Sequence, residues 1–230
     1  MASSGYILVI DQSTTGTSAC LVDEHGLVVA KEYQEISQLY PQPGWVEQDP
    51  INLIHSVKTT VKNLINNPQI NLSQIKGIGV TNQRETTIVW DKNTGDPIHN
   101  AIVWQCRRTT TLCEKMQQQG LGPSIHRITG LPIDAYFSAT KIKWILDNVP
   151  DARNKAENGE LAFGTVDSWL IWYLTNSKRH VTDVTNASRT MLFDIQTLSW
   201  SKEIMSLLNI PGVLLPKVVD SSGILGFTRQ

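Results

Sequence analysis

Metal-binding and disulfide signatures are missing from this chain. Its three cysteines, Cys20, Cys106 and Cys113, are odd in number and show no CxxC spacing. That argues against both a disulfide framework and a thiolate zinc site, so they read as ordinary thiols. The five histidines, His25, His55, His99, His126 and His180, lie far apart and form no metal-ligand pair. Charge of one sign is lacking as well. With 20 Lys and Arg against 21 Asp and Glu, the net charge of −1 supplies no field for nucleic acid or an anionic membrane. Long apolar runs are also absent: Tyr6 to Ile10 is too short for a signal-peptide core or a membrane span, and no cationic leader precedes it. The expectation is a cytoplasmic protein with no membrane span, whose partners are small molecules or proteins. There is no internal repeat, and no G-x-x-x-x-G-K-[ST] phosphate-loop string.

What is there is a patterned chain of 230 residues, enough to bury a sizeable core in one large or two small domains. Tyr6–Ile10, Ser18–Val22 and Leu27–Tyr33 read as a meander of strands separated by "DQSTTGT" and "DEHG" turns. Asp49 and Pro50 suit the N-cap and first position of a helix, along which Leu53, Ile54, Val57, Val61, Leu64 and Ile65 keep helical spacing. Strands are predicted over Ile75–Val80, Thr86–Trp90 and Ile98–Trp104, the last two forming a hairpin around "DKNTGDP". From Arg107 the pattern turns helical. Gly120 is a stop, Ser138 opens a helix closed by Pro150, Leu161–Phe163 is a short strand, and Thr165 caps the apolar "TVDSWLIWYLTN" helix. The remainder alternates short elements with turns. The fold class expected is α/β, a mixed β-sheet flanked by helices in a single domain. The last residues, "SSGILGFTRQ", carry no helical or charged tail and read as a cut.

Three constellations could carry chemistry. In "VIDQSTTGTSACLVD" an apolar strand ends at Asp11 and a hydroxyl-rich turn follows. Backbone N–H groups of such a turn, with Thr14 and Thr15 hydroxyls, suit phosphate oxygens, and Asp11 suits a hydrated Mg²⁺. The same string also fits a solvated hairpin closed by an Asx-type turn. The second is the Arg84-Glu85 pair in "TNQRETTIVWD", set between two runs that read as buried strand. Charged residues are seldom buried for stability, because desolvation offsets the attraction. A polyol offers adjacent hydroxyls that both donate and accept, and a carboxylate beside a guanidinium matches them. An exposed loop pair at a strand end is the competing reading. The third is aromatic: Trp104 in "IVWQCRR" and Tyr136 in "LPIDAYFSATK" each combine an apolar face with a polar handle. With seven tryptophans in the chain, most must be packing residues.

Taken together, "DQSTTGTSACLVD", "YPQPGWVEQDP", "GIGVTNQRETTIVWD", "AIVWQCRRT", "TGLPIDAYFSATKIKWILDNV", "GTVDSWLIWYLT" and "TDVTNASRTMLFD" closely resemble the amino-terminal half of the glycerol kinases. These belong to the sugar kinases, which share the ribonuclease-H-like, actin-like ATPase fold. "NQRET" with "VWQCRR" is the specific part, whereas "PGWVE" is shared among sugar kinases. The resemblance implies that residues 1–230 form a substrate-binding domain, with the nucleotide-binding domain absent from this chain. Arg84, Glu85, Trp104 and Tyr136 would then line the glycerol site, Ser13, Thr14 and Thr15 would face the transferring phosphate, and Asp11 would lie near Mg²⁺. It further implies ATP as cosubstrate, a homo-oligomeric full-length protein, and a catalytic aspartate in a glycine-aspartate-glutamine motif beyond Gln230. Ser18 departs from the family, which often carries an arginine there. A kinase for another polyol or pentulose, and a non-catalytic actin-like interaction module, are the alternatives. The residues leave the role of the stretch Thr182 to Thr190 open, with bracing of helices as one reading.

Overall fold

The computed structural model describes residues 5–68 and 70–228. In chain order the strands are β1 (Tyr6–Gln12), β2 (Gly16–Val22), β3 (Val28–Glu35), β4 (Glu47–Gln48), β5 (Ile75–Asn82), β6 (Ile88–Asp91), β7 (Ala101–Ile102), β8 (Leu161–Gly164), β9 (Val181–Asp183), β10 (Phe193–Asp194), β11 (Ser199–Trp200) and β12 (Lys217–Val219). The helices are α1 (Pro50–Ile65), α2 (Thr110–Gln118), α3 (Gly122–Thr129), α4 (Ser138–Asn148), α5 (Ala152–Glu157), α6 (Val166–Leu174), α7 (Val184–Ala187) and α8 (Lys202–Leu208). They fall into two compact units, one made of residues 1–38 and 49–83, the other of 39–48 and 84–230.

The first unit is a four-stranded mixed sheet in the order β3-β2-β1-β5, antiparallel except where β1 runs parallel to β5. Alternation explains it. Leu8, Ile10 and Gln12 of β1 and Ala19 and Leu21 of β2 are buried while the intervening residues are not, as a strand's period of two demands. Leu8, Ala19 and Leu21 pack with Val61 and Leu64 of α1. That helix starts where its cap directs: the Asp49 carboxylate accepts from the Ile51 N–H at 2.8 Å, and Pro50 needs no N–H bond there. The mixed α/β sheet expected from the sequence is this one.

The second unit builds its core from short elements. Two-stranded pieces pair β4 with β7, β6 with β8 and β10 with β11 in antiparallel fashion, and β9 with β12 in parallel. Val89, Ile102, Ile142, Leu146, Phe163 and Leu192 belong to one buried cluster. α6 is apolar nearly all round and accordingly buried on nearly every side. Trp90 of β6 lies with ring centroids 5.1 Å from Trp169 and 5.8 Å from Trp172 of that helix.

Three local expectations change. The hairpin ladder over 86–104 forms only in part: Ile98 N–H reaches Val89 O and Thr87 pairs with Ile102, but β6 takes its full partner from β8, some seventy residues later. The strand expected over Ile98–Trp104 shrinks to β7, because Val103 turns aside to donate to Val46 O. Thr165 does occupy the N-cap position of α6, yet its hydroxyl donates to the Asp167 carboxylate instead of accepting a backbone N–H. "PGWVE" also acquires a structural role. Glu47 takes an Arg108 Nη2 hydrogen bond at 2.5 Å, and the Arg108 guanidinium lies 3.9 Å from the Trp45 ring centroid and 4.6 Å from that of Trp144. Contact with these two rings, together with the Glu47 carboxylate, offsets the cost of burying that cation.

Candidate functional site

In the second unit, the segment Arg84–Thr86 is a three-residue corner. The Thr86 N–H donates to Arg84 O at 2.8 Å, and Glu85 between them has φ 62°. An i to i+2 bond with a positive central φ marks the strained form of γ-turn, uncommon for a residue bearing a side chain. This corner is why β6 begins at Ile88 and not at Thr86. Its carbonyl is held from two sides, by Ser138 Oγ at 3.1 Å and Thr87 Oγ1 at 3.2 Å. Strain of this kind persists only where surrounding structure fixes it, and it gathers at functional sites.

Glu85 is buried, at 4% exposure. Its carboxylate is not paired with its neighbour: Oε1 accepts from Arg189 Nε at 2.6 Å, across 104 residues of sequence. Arg84 is exposed, and its side chain makes no hydrogen bond or ion pair to any described residue. The same Arg189 guanidinium lies over two rings, 5.7 Å from the Tyr136 centroid and 5.0 Å from that of Phe137. Tyr136 in turn packs on Trp104, with centroids 5.2 Å apart and planes tilted by 54°. Both rings are half-buried, and the Trp104 backbone N–H donates to Thr86 Oγ1 at 3.3 Å. Glu85, Arg189, Tyr136 and Trp104 therefore form one continuous cluster.

Two further residues hold Tyr136. Asp134 Oδ1 accepts from the Tyr136 N–H at 2.7 Å and from Arg107 Nη1 at 2.6 Å. Burial works against that carboxylate's charge, but these two donors and the nearby cations hold its pKa below the ordinary value. Lys141, fully buried, donates from Nζ to the carbonyls of Tyr136 and Phe137. Burial lowers its pKa from 10.5 to about 7, opposed by Cys106, Glu85, Cys113 and Asp134.

In the first unit the hydroxyl-rich turn between β1 and β2 closes with Ser13 N–H on Gly16 O at 2.9 Å. Its carbonyls are tied down. Ser13 O accepts from Gln12 Nε2 at 2.8 Å and Gln83 Nε2 at 3.4 Å, Thr14 O from Gln38 Nε2 at 3.3 Å, and Thr15 O from Ile36 N–H at 2.9 Å. Thr15 is exposed, and neither its N–H nor its hydroxyl bonds a described residue. A Cβ on Gly16 would sit 2.3 Å from the Tyr33 hydroxyl, so that exposed ring would have to swing aside. Half-buried Asp11 accepts from Ser13 Oγ at 3.0 Å and lies opposite Ser18 on the neighbouring strand. No group of three or more His, Cys, Asp or Glu among the described residues could cage a metal ion. A single carboxylate does suit Mg²⁺, which keeps most of its waters and takes other ligands from substrate phosphates.

The structure thus brings Glu85, Trp104 and Tyr136 together, leaves Arg84 at the surface, and gathers Asp11, Ser13, Thr14 and Thr15 on one hairpin of the other unit. Sequence reasoning missed Arg189 and Lys141. Both sit in strings that carry the family resemblance, "TDVTNASRT" and "SATKIKW", which is the one signal that could have flagged them.

Residues 6–230 match the FGGY family of carbohydrate kinases, N-terminal domain. A glycerol kinase of Pseudothermotoga lettingae is 56% identical over 225 residues, covering 98% of this chain and 45% of the relative. Glycerol kinase 2 of Thermotoga maritima shows the same identity and coverage. The crystal structure of Plasmodium falciparum glycerol kinase with ADP superposes with a TM-score of 0.91 at 37% identity, over 99% of this chain and 45% of that one. A gluconate kinase of Lactobacillus acidophilus, 22% identical with a TM-score of 0.88, covers 98% of this chain and 44% of its own and shares the fold. The chain thus spans about half the length of the relatives it matches.

Proposed function

Because the chain belongs to the FGGY family of carbohydrate kinases, whose mixed α/β, actin-like N-terminal domain it forms, we propose that it is the amino-terminal, substrate-binding half of a glycerol kinase. The observation that carries this reading is the buried Glu85 carboxylate, held by Arg189 beside the half-exposed rings of Tyr136 and Trp104. With Oε1 engaged, Oε2 accepts from a polyol hydroxyl. The exposed Arg84 fork donates to the lone pairs of the same or the next hydroxyl, and the Tyr136 hydroxyl bonds a third. The carbon side of glycerol rests on Trp104. A small polyol with adjacent hydroxyls is the class of ligand that this set of donors and acceptors suits.

The reaction proposed is attack by a terminal glycerol hydroxyl on the γ-phosphoryl group of ATP, in line, giving glycerol 3-phosphate. Positioning and charge stabilisation dominate phosphoryl transfer. In the second unit the corner and the two rings fix the hydroxyl; in the first, the Thr15 N–H and hydroxyl, with Thr14, are the donors proposed for phosphoryl oxygens, because Ser13 already gives its N–H to Gly16 O and its hydroxyl to Asp11. Asp11 would hold the waters of Mg²⁺, which when bound neutralises charge on the phosphates. None of residues 1–230 is assigned as general base. A missing base alone costs about 10² to 10⁴ in rate, so the 230-residue chain by itself should have negligible kinase activity.

Titrating the purified chain with glycerol while following tryptophan fluorescence tests the reading. A saturable response, weaker for xylulose and gluconate and shifted to about a hundredfold higher glycerol in Glu85→Gln, is expected; a silent wild type would overturn it. Glycerol-dependent ADP release by the chain alone would overturn the claim of inactivity.

A further inference from the structure

The segment Thr182 to Thr190 does more than join helices. Asp183 caps α7 by accepting the Asn186 N–H at 2.8 Å, and Thr190 O accepts the Ala139 N–H at 2.8 Å, satisfying a donor at the start of α4. Arg189 lies between these two anchors, so its backbone is fixed beside the loop that carries Tyr136. Its Nε is bonded to Glu85, and its side chain is one-third exposed. Its two terminal nitrogens hydrogen-bond no described residue. A nearly buried carboxylate is costly without a cation, and Arg84, the cation next to it in sequence, does not serve.

On these grounds, and resting on the polyol-site reading above, we infer that Arg189 is a positioning and specificity-determining residue for the substrate: it fixes the Glu85 carboxylate, neutralises it, and thereby selects an uncharged polyol over a cationic one. Glycerol brings no charge, so a carboxylate that binds it must be compensated by the protein. Without Arg189 the same carboxylate would favour a ligand that brings its own positive charge. A residue that only braced the fold would alter affinity for neutral and cationic ligands alike.

The experiment titrates the chain by tryptophan fluorescence with glycerol and with 3-amino-1,2-propanediol, the latter as its ammonium form at pH 7. Wild type, Arg189→Met, Arg189→Lys and Glu85→Gln are compared. Arg189→Met should weaken glycerol by about tenfold or more and raise the amino-diol to glycerol affinity ratio by at least about tenfold. Arg189→Lys should keep the wild-type ratio. The inference is overturned if Arg189→Met leaves that ratio unchanged while Glu85→Gln shifts the response to about a hundredfold higher glycerol. Should Arg189→Met fail to fold by circular dichroism, Arg189→Gln takes its place and is judged by the same ratio. A wild type silent to glycerol overturns the polyol-site reading itself, an outcome distinct from an unchanged ratio.

Discussion

The corner at Glu85 and the hairpin at Asp11 each present one carboxylate, but they are built in opposite ways. Asp11 is half-buried, and its recorded partner is a hydroxyl two residues along the chain. Glu85 is nearly sealed from water, sits in a strained turn, and takes its cation from 104 residues away. The difference matches what each is proposed to hold. A metal-phosphate ligand carries charges of both signs, so a carboxylate meant for it stays partly solvated and without a protein cation. A polyol carries none, so the protein must supply both signs itself and hold them rigidly. The hairpin should therefore tolerate substitution in the folded chain, whereas the corner should not.

The largest test of that contrast is Glu85→Gln. The amide keeps the shape but turns an acceptor oxygen into a donor, so glycerol affinity should fall about a hundredfold, worth about 2.7 kcal/mol. Fluorescence titration measures it, and an unchanged far-UV circular dichroism spectrum would assign the loss to the site.

Lys141, beneath Tyr136, gives the corner a signature in pH. Its pKa is lowered from 10.5 to about 7 by burial. Between those values the unfolded chain binds the proton and the folded chain does not, so this residue makes stability rise with pH from about 7 toward 10.5. Thermal melts of Lys141→Met should lose that rise; a slope equal to wild type would contradict the burial of the amine. In acid two groups oppose one another. His180, lowered to about 4 mainly by burial, makes stability rise with pH between about 4 and 6.5. Asp167, raised to about 6 by burial, makes it fall between about 3.8 and 6. Between about pH 4 and 6 these two contributions cancel in part, so together they add less slope there than Lys141 adds above about 7.

Smaller is Ser138→Ala. It removes one of two hydroxyls holding the Glu85 carbonyl and should cost about 1 kcal/mol in urea denaturation, with weakened glycerol binding. Smallest is Asp11→Asn, expected to change stability by no more than about 0.5 kcal/mol and to leave the glycerol response of the chain untouched. If it cost as much as Ser138→Ala, the hairpin would be as tightly built as the corner and the contrast would collapse.

Much of the local structure was legible in the residues. Asp49 and Pro50 started α1 where expected, Ser138 opened α4, and the first three strands and β5 fell on their apolar runs, each extending by up to two residues at an end. Where the ladder partner was distant, reading failed. Thr86–Trp90 keeps part of the expected pairing with the segment from Pro97 to Ile102, but β6 also pairs along its whole length with β8, which no local pattern announced. At the site, Glu85, Trp104 and Tyr136 were identifiable by chemistry, and the ion pair was not.

The sequence by itself determined the alternation that makes a mixed sheet, the caps that start its helices, and the choice of a carboxylate and two amphipathic rings as candidates for holding a polyol. Only the tertiary structure decided which cation faces that carboxylate. Adjacency along the chain put Arg84 next to Glu85, but Arg84 stays exposed while the Glu85 carboxylate is buried against Arg189. The lowest-energy partner for a buried charge is whichever cation the packing brings within hydrogen-bond reach, and in this fold that is Arg189.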